Sequence, residues 1–438
     1  MREMKDSGVE WIGEVPAEWD VKRSKSCVLT HKNGNWGDDQ GTSELDCICV
    51  RAADFDYEHL RFKPSQTMVK RSYTYSQFER VKLRPLDIVI EKSGGGDRTP
   101  VGRAVLYRGE FEAAYSNFME RIAVNADITL PAFFFYWWTA NYQARWFVPF
   151  FNQTTGIQNL NTYDLLNEAL IVLPSLSEQQ RIVSYLDGCC AAIDEDVIKR
   201  REVIEKLKEY KKSLIAHVVT KGLDPNVEMK DSGVEWIGKV PSSWEMLRIY
   251  QLAFPVRIKN EGMKEDNLLS LSYGRIIQKD INTVDGLVPA NYEGYNIIEP
   301  GDIVLRFTDL QNDQRSLRTG LCSYNGIITS AYLTIRPQLN LVSSEYLHYV
   351  LHFVDTLKVF YNMGGGMRQS LDWRGISHMF LPIPPRAEQR WIVSYLNENC
   401  DKIDEAIARQ EQLIEKLGEY RKSLIHHAVT GKIDCTEA

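Results

Sequence analysis

Two polar segments in the first half of the chain carry side chains that suit the recognition of nucleic acid. Residues 92–99 (KSGGGDRT) follow an apolar stretch, and residues 152–159 (NQTTGIQN) lie further along the chain. Arginine can pair with guanine, asparagine and glutamine can pair with adenine, and hydroxyls and backbone amides can contact phosphates. We therefore predict base-reading loops here. An ordinary solvated loop would have a similar composition, so that alternative stays open.

The second half of the chain has polar segments at the matching positions. They are residues 306–315 (RFTDLQNDQR) and residues 364–370 (GGGMRQS). The matching positions favour a shared role for the two pairs of segments. The residues that we predict to contact DNA are Lys92, Ser93, Gly95, Arg98, Thr99, Arg103, Gln153, Thr154, Gln158, Asn159, Arg306, Gln311, Asn312, Arg315, Arg318, Arg368, Gln369 and Ser370.

The chain lacks the motifs that would give these loops a catalytic role. The glycine-rich loop has no GxxxxGK[ST] order, so it does not predict an ATP site. There is no HExxH, GxSxG, GxGxxG or Asn-Pro-Pro-aromatic motif, and the eight cysteines show no CxxC pair or zinc-like spacing. The Glu-x-Lys tripeptides at residues 3–5 and 228–230 are copied with a repeated flank, which indicates a structural role. We expect no catalytic residue and no metal site in this chain.

The scaffold that positions these loops is encoded by a sequence repeat that occurs twice in the chain. MKDSGVEWIG at residues 4–13 recurs letter for letter at residues 229–238, and IVSYL at residues 182–186 recurs at residues 392–396. Such self-similarity indicates a tandem of two versions of one domain. The middles have diverged but share a skeleton, in which Pro85, Asp87-Ile88-Val89, Gly102, Gln158 and Leu160 match Pro300, Asp302-Ile303-Val304, Gly320, Gln369 and Leu371.

The middles have the pattern of mixed α/β domains. Residues 87–91 (DIVIE) and 302–306 (DIVLR) predict strands that are entered from proline-containing turns. The aromatic stretches at residues 133–138 and 346–349 predict core helix rather than a base-stacking platform, because apolar residues occupy every face. Each polar loop should therefore leave the end of a buried strand.

A long helix is predicted at the end of each copy. Ser177 and Gln180 suit a capping box at the first helix start, whereas residues 385–387 (PRA) replace that serine in the second copy. Steps of four and three residues give a coiled-coil seam in both helices, although each stripe could instead pack on its own domain. The seam positions are Ile193, Val197, Arg200, Ile204, Leu207, Lys211, Leu214 and Val218, with counterparts Ile403, Ile407, Gln410, Ile414, Leu417, Arg421, Leu424 and Ala428.

Composition limits the class of protein. The 438 residues, with 44% hydrophobic and 25% charged side chains, fit a globular protein of several domains. The apolar run at residues 130–140 is too short to cross a bilayer and the first residues do not resemble a signal peptide, so we expect a cytoplasmic protein. The net charge of −7 argues against a grip on nucleic acid by bulk electrostatics.

The paired order of these motifs resembles the specificity subunit of type I restriction-modification systems. The resemblance covers the whole chain, and each motif is weak alone. Its carriers are Trp11 and Trp19 with Trp236 and Trp244, the two Asp-Ile-Val strands, and Leu173-Pro174, Glu178-Gln179 and Ile182 with Leu381-Pro382, Glu388-Gln389 and Ile392.

The resemblance implies an α+β fold and a DNA-recognition role. Two target-recognition domains, at residues 1–176 and 223–384, would each read half of a bipartite DNA target. Two conserved helices, at residues 177–222 and 385–438, would form an antiparallel coiled coil with pseudo-twofold symmetry. These helices would bind methyltransferase subunits, and the complex would recruit restriction and translocase subunits. S-adenosylmethionine, ATP and Mg²⁺ would belong to those partners, which would also supply much of the phosphate contact.

A second hypothesis stays open beside this one. The negative net charge of the chain is also compatible with a non-enzymatic coiled-coil adaptor that binds two protein partners.

Overall fold

The computed structural model describes residues 3–96, 99–154, 156–282, 291–308, 310, 317–363 and 370–435. The chain divides into two compact units. Unit 1 comprises Met1–Arg201 and Glu411–Ala438, and unit 2 comprises Glu202–Gln410.

Unit 1 is built from short strands, three helices of modest length and parts of two long helices. Its strands are β1 (Met4–Asp6), β2 (Glu14–Pro16), β3 (Asp20–Arg23), β4 (Val28–Asn33), β5 (Leu45–Val50), β6 (Phe55–Asp56), β7 (Arg61–Phe62), β8 (Lys70–Tyr73), β9 (Ile88–Glu91), β10 (Ala104–Leu106), β11 (Ala113–Tyr115), β12 (Met119–Val124), β13 (Phe151–Thr154), β14 (Ile157–Leu160) and β15 (Leu170–Leu173). Its helices are α1 (Tyr75–Val81), α2 (Pro131–Gln143), α3 (Thr162–Glu168) and the first part of α4 (Leu176–Lys221). Short 3-10 turns lie at Ser24–Cys27, Ala52–Asp54, Ser65–Thr67 and Val148–Phe150.

Unit 2 has a related set of elements. Its strands are β16 (Met229–Asp231), β17 (Lys239–Pro241), β18 (Glu245–Arg248), β19 (Ala253–Val256), β20 (Leu268–Ser272), β21 (Arg275–Lys279), β22 (Asn296–Ile298), β23 (Ile303–Leu305), β24 (Thr319–Leu321), β25 (Gly326–Ile328), β26 (Leu333–Pro337) and β27 (Phe380–Ile383). Its helices are α5 (Ile249–Leu252), α6 (Ser344–Thr356), α7 (Trp373–Ile376) and the first part of α8 (Arg386–Val429), with a 3-10 turn at Val359–Asn362.

A four-stranded antiparallel sheet occurs in both units. Its order is β10-β9-β12-β4 in unit 1 and β24-β23-β26-β19 in unit 2. The ribbons β1-β2 and β15-β3 of unit 1 likewise correspond to β16-β17 and β18-β27 of unit 2. The second sheets differ, with order β11-β5-β8 in unit 1 and β21-β20-β25-β22 in unit 2. The predicted α+β class is confirmed, and the second sheet is the part of the domain that diverged most.

Buried aspartates explain the repeated Asp-Ile-Val motif. Asp87 accepts a hydrogen bond from the backbone N–H three residues earlier at 2.7 Å and another from Arg121 at 3.2 Å. Asp302 accepts the same backbone bond at 2.9 Å and pairs with Arg336 at 2.7 and 2.9 Å. Each carboxylate thus closes the turn before a central strand and is neutralised by an arginine of the neighbouring strand. The strands predicted at residues 87–91 and 302–306 are confirmed as β9 and β23.

One predicted match between the halves is wrong. Val89 faces Val105 in the β9–β10 pair, and Val304 faces Gly320 in the β23–β24 pair. Gly320 therefore corresponds to Val105 and not to Gly102. Glycine is needed at this place in unit 2 because a Cβ on Gly320 would lie 2.5 Å from a leucine side chain of the second sheet. Chain spacing alone did not reveal this shift because the loops before the two strands differ in length.

The aromatic stretches are core helix, as predicted. Helix α2 buries all of residues 133–138, and α6 buries Tyr346 and Leu347, while Tyr349 is half-buried. Helix α2 starts with Pro131, whose missing N–H costs nothing in a first turn. Both helices pack on the four-stranded sheet of their unit.

The starts of the two long helices are held by equivalent glutamines. Gln179 accepts from the backbone N–H of Leu130 at 2.7 Å and donates to the Pro174 carbonyl at 3.0 Å. Gln389 accepts from the backbone N–H of Ser343 at 2.9 Å and donates to the carbonyl just before α8 at 3.0 Å. Both side chains are fully buried, so each satisfies backbone groups that burial would otherwise leave unpaired. This role explains the glutamine of the repeated Glu-Gln pair.

The predicted cap of the first long helix is corrected by two residues. Ser175, not Ser177, accepts from the backbone N–H of Glu178, at 3.3 Å. Helix α4 begins directly after Ser175, so Ser177 already lies within its first turn. The cause is that the strand before the helix ends at Leu173, which leaves only two residues for the turn.

Each unit has a core that includes the start of one long helix and the end of the other. The side chains from the helices in the unit 1 core include Ile182, Val183, Leu186, Leu424, Ile425 and Ala428. Those in the unit 2 core include Ile215, Val218, Val219, Ile392, Leu396 and Cys400. Every position of the predicted seam in α4 and α8 is buried or half-buried. The apolar stripes are therefore packed rather than solvated. Within the described ranges, no helix is both long and apolar enough to cross a membrane.

Candidate nucleic-acid interface

The two polar segments of unit 1 lie side by side. The first leaves the end of β9, and the second forms the hairpin β13–β14. The Gly94 N–H donates to the Gln158 carbonyl at 3.1 Å, and the Leu160 N–H donates to the Lys92 carbonyl at 2.8 Å. Between them Ser93 forms a bridge with Asn159, and the two side chains are hydrogen-bonded. Segments predicted separately from sequence thus form one continuous polar surface.

Glycines and the aromatic helix α2 fix the path of the first loop. Gly94 has a φ of +116°, and a Cβ on Gly95 would lie 2.5 Å from the Val101 backbone nitrogen, so both positions favour glycine. At the return of the loop, the Trp138 indole N–H donates to the Gly102 carbonyl at 2.8 Å. The Tyr142 hydroxyl donates to a neighbouring carbonyl at 3.0 Å. The return of the loop is therefore anchored by two aromatic side chains of α2.

A buried charged network lies beneath the start of this loop. The Glu120 carboxylate is 3% exposed and accepts from His31 at 2.5 Å and from the Thr162 hydroxyl at 2.7 Å. The Lys92 ammonium lies 3.4 Å from the same carboxylate and donates to Asn33 at 2.7 Å. Lys92 is thus held at the rim of the surface by groups on the neighbouring strands. Sequence reasoning missed Glu120, His31, Asn33 and Thr162, since only strand register shows that they meet.

Arg103 ends the loop in a structural pairing. Its guanidinium donates to the buried carboxylate of Glu91 at 2.7 Å and lies 3.7 Å from the ring centre of Tyr57. Burial opposes the charged form, but the hydrogen bond with Glu91 and the electrostatic effects of Glu91, Tyr57 and Tyr142 together outweigh it, so the pKa of Arg103 is raised. Arg103 therefore supports the loop, and its predicted contact with DNA stays a prediction.

The other predicted residues of unit 1 have varied surroundings. Thr99 and Gln153 are exposed, whereas Gly95 and Gln158 are buried. Among the residues that the structure describes, the Gln158 amide oxygen has no hydrogen-bond partner. Arg98 and the side chain of Thr154 lie outside the described part of the chain.

Unit 2 repeats the junction between the two segments. The Leu371 N–H donates to the Phe307 carbonyl at 3.1 Å, as the Leu160 N–H does to Lys92 in unit 1. The predicted match of Leu160 with Leu371 is thereby confirmed. Arg306 is half-buried and Ser370 is exposed beside this junction. The predicted residues Gln311, Asn312, Arg315, Arg368 and Gln369 lie outside the described residues.

Arg318 corrects one of the predicted contacts. Its side chain is fully buried and donates to the Tyr361 hydroxyl at 2.9 Å and to the backbone carbonyls of Arg306 and Thr308 at 3.1 and 2.8 Å. A guanidinium in this position holds the two ends of the loop and is not presented to a ligand. Its place opposite Arg306 in the β23–β24 pair corresponds to that of Arg103 in unit 1.

A cavity in unit 2 occupies the place of the buried network of unit 1. Its volume is about 380 Å³. Leu333 faces Leu305 as Glu120 faces Ile90, so a leucine stands where unit 1 has the carboxylate. The lining includes Arg257, Lys259, Tyr332, Leu333, Leu371 and Trp373. Sequence reasoning missed the two exposed cations of this lining because they lie on the continuation of an edge strand, far from the polar segments in the chain.

The comparisons with known proteins agree on one family. Residues 62–206 match the family model described as the type I restriction modification DNA specificity domain. The putative type I restriction enzyme MjaX specificity subunit of Methanocaldococcus jannaschii is 21% identical over 430 residues, which cover 96% of this chain and 95% of that protein. Residues 62–206 thus match this DNA specificity domain, and the chain as a whole is similar to a type I restriction enzyme specificity subunit. The predicted resemblance is confirmed.

Further similar proteins differ in how much of the chain they cover. The StySPI specificity subunit of Salmonella potsdam is 25% identical over 189 residues, covering 43% of this chain and 38% of that protein. Among solved structures, a chain of a type I restriction-modification system has a TM-score of 0.69 at 16% identity and covers 96% of this chain and 99% of its own length. The HsdS subunit of Thermoanaerobacter tengcongensis has a TM-score of 0.52 at 17% identity, covering 96% and 98%. These two likenesses show the fold.

Proposed function

We propose that each unit of this specificity subunit reads one half of a bipartite DNA target and that the chain itself is not catalytic. The observation that carries the proposal is the junction of two polar segments, which occurs once per unit on a repeated scaffold. The scaffold contacts are alike, at Gln179 and Gln389 and at the Leu160 and Leu371 amides, while the sequences of the polar segments differ. A two-part code needs this combination, because two readers of different sequence must be held in the same way.

The long helices are the proposed connection between the two recognition domains. In unit 1, Asp194 of α4 pairs with Arg421 of α8, and in unit 2, Lys211 of α4 pairs with Asp404 of α8 at 2.7 Å. In each unit the start of one helix packs with the end of the other, which supports an antiparallel coiled coil. We propose recognition domains at residues 1–176 and 223–384, with the helices at 177–222 and 385–438 as the conserved segments.

The proposed partners are double-stranded DNA, methyltransferase subunits bound through the helices, and restriction and translocase subunits recruited by the complex. S-adenosylmethionine, ATP and Mg²⁺ would be bound by those partners. The net charge of −7 supports this division, since partner subunits would then supply much of the contact with phosphates.

The test is to co-express the chain with a methyltransferase subunit of a type I restriction-modification system and to sequence the modified bases in the host DNA. We expect one bipartite methylated site that disappears when the specificity chain is omitted. A methylated site that does not depend on the chain would contradict the proposal. Assembly without any sequence-dependent methylation would instead favour an adaptor that binds two proteins.

A further inference from the structure

A hairpin of unit 1 contacts the helix segments of the same unit. The hairpin consists of β6, β7 and the turn between them, residues 55–62, and its ends Phe55 and Phe62 belong to the core under the second sheet. At the tip, both oxygens of the Glu58 carboxylate accept from Arg201 of α4, at 2.6 and 2.7 Å. These side chains are about half-exposed, so this pair alone contributes little.

The buried contact at the same tip is made by Arg421. Its side chain is 8% exposed, and its guanidinium donates to the Glu58 carbonyl and to the Asp194 carboxylate, with a further bond to the Cys190 carbonyl at 3.5 Å. One side chain of α8 thus joins α4 and the hairpin. The planar guanidinium group has several N–H donors and can bind several acceptors at once. Separating this buried charge from its partners would be costly in free energy.

The hairpin in turn supports the polar loop of unit 1. Tyr57, next to Glu58, lies under the guanidinium of Arg103, which is bound to Glu91 at the end of β9. The polar loop runs between Glu91 and Arg103. A continuous set of contacts therefore leads from Arg421 through the hairpin to both ends of the predicted reading loop.

Unit 2 has no equivalent of this arrangement among its described residues. The repeat places Lys211 where unit 1 has Arg421, and its ammonium contacts both oxygens of Asp404 at 2.7 Å. The second sheet of unit 2 reaches the same aspartate through Arg275, at 3.4 Å from a side chain that is 77% exposed. The charge pair between the helix segments is common to both units, but the buried link to the recognition domain is particular to unit 1.

We propose that Arg421 is a positioning residue that fixes the orientation of the first reading loop by clamping the hairpin of residues 55–62 to the helices of unit 1. This inference rests on the proposed function, because it assumes that the loop reads DNA. It predicts that loss of the clamp changes recognition of the half-site read by the first domain and leaves the other half-site unaffected.

The variants are chosen to separate charge from geometry. Arg421→Gln removes the charge and most of the N–H donors. Arg421→Lys keeps the charge and introduces the residue type found at the equivalent position of unit 2, Lys211. Arg80→Gln is the matched control, because it removes one arginine charge from an exposed position of α1, in the same unit but outside the hairpin, the long helices and the polar loop. Each variant is co-expressed in full length with the methyltransferase subunit, and the thermal midpoint and the assembly of the complex are recorded.

Two readouts decide the proposal. Hydrogen exchange of residues 55–62 in the full chain, without DNA, should rise on the order of tenfold in Arg421→Gln, as loss of a charged hydrogen bond implies. Methylation rates on targets with single base changes should show weaker discrimination in the first half-site only. Arg421→Lys should give a smaller change of the same kind, and Arg80→Gln should match the wild type.

The outcomes are distinguishable. Unchanged exchange of the hairpin in Arg421→Gln, or equal loss of discrimination in both half-sites, overturns the positioning role. If Arg421→Gln does not fold, Arg421→Lys alone carries the same two readouts. A wild-type complex that methylates no bipartite site overturns the proposed function and with it this role, even if the hairpin exchange behaves as expected.

Discussion

The place where each polar loop leaves its central strand is filled in opposite ways in the two units. Unit 1 has a closed network in which Glu120 binds His31, Thr162 and Lys92. Unit 2 has an open cavity of about 380 Å³ at the same place. There Leu333 replaces Glu120, Trp373 starts α7 where Thr162 starts α3, and Phe307 replaces Lys92 at the shared junction.

The difference shows which part of the domain is free to vary. Two backbone bonds at this place are the same in both units, namely the Leu160 N–H to Lys92 carbonyl bond, matched by Leu371 and Phe307, and the bond that closes the base of the loop, from Glu91 to Arg103 and from Arg306 to Arg318. The side chains that fill the space between these backbone segments differ between the units. They differ as a group, because a buried carboxylate such as Glu120 is stable only when all of its hydrogen-bond partners are present. When the polar loops of the two units diverged, the residues beneath the loops therefore changed too, from a polar network in unit 1 to an apolar lining in unit 2.

The largest expected effect comes from placing the unit 2 residue in unit 1. Glu120→Leu leaves the buried groups of Lys92, His31 and Thr162 without their acceptor, and we expect the free energy of unfolding to fall by about 4 kcal/mol. Urea denaturation followed by circular dichroism measures this change. The matched control is Glu79→Leu on the exposed face of α1, which should change stability by less than about 0.5 kcal/mol. Similar losses for both variants would show that the network contributes nothing particular.

A slightly smaller effect tests the part of the scaffold that the units share. Gln179→Leu and Gln389→Leu each leave backbone groups at a helix start unpaired, so each should cost about 3 kcal/mol. The two losses should be similar, within about 0.5 kcal/mol, because the bonds to backbone groups are equivalent, although Gln179 also accepts from Thr129 and Gln389 from Arg386. Urea denaturation of the two single variants measures both. A large loss from one and almost none from the other would contradict a common scaffold.

The smallest of the three effects is a pH dependence that α6 of unit 2 should show and α2 of unit 1 should not. Burial lowers the pKa of His348 to about 3 and the pKa of His352 to about 4, and the nearby lysines 211 and 212 add to the shift of His352. Helix α2 of unit 1 contains no histidine. Because the unfolded chain binds these protons near pH 6.5 and the folded chain does not, stability is present above pH 6.5 and is lost as the pH falls towards 4. We expect about 2 kcal/mol of loss between pH 7 and pH 5.5.

Hydrogen exchange can assign this loss to one unit. After correction for the intrinsic exchange rates, protection of α6 should fall between pH 7 and pH 5.5 while protection of α2 stays constant. A variant that carries both His348→Phe and His352→Leu should lose the pH dependence of α6. Equal changes in α2 and α6 would mean that another group governs the acid sensitivity.

The sequence predicted the scaffold because its signals are long and repeated. Three signals occur in both copies: the identical flanks, the Asp-Ile-Val strands and the coiled-coil seam. A pattern that arose by chance in one copy would not recur in the other. The same comparison failed for Gly102 and Gly320, because the loops before these positions differ in length and only strand pairing shows the shift.

The site could be predicted only as segments. Loop composition identified residues 92–99 and 152–159, but the fold was needed to show that the Leu160 N–H meets the Lys92 carbonyl. Arg318 lies three residues after the polar segment that starts at Arg306, yet it is fully buried. A loop has no periodicity that separates inward from outward side chains, so sequence could not distinguish a supporting arginine from a reading one. The network around Glu120 was missed because its members are far apart in the chain.

The central claim is that two divergent readers are held on one repeated scaffold, and a domain exchange tests it most directly. Residues 20–172 are replaced by the corresponding segment of a specificity subunit with a different target, and methylated bases are sequenced in cells that also express the methyltransferase subunit. We predict a bipartite site in which one half has changed while the other half keeps its sequence. A site that is unchanged, or changed in both halves, would contradict the claim.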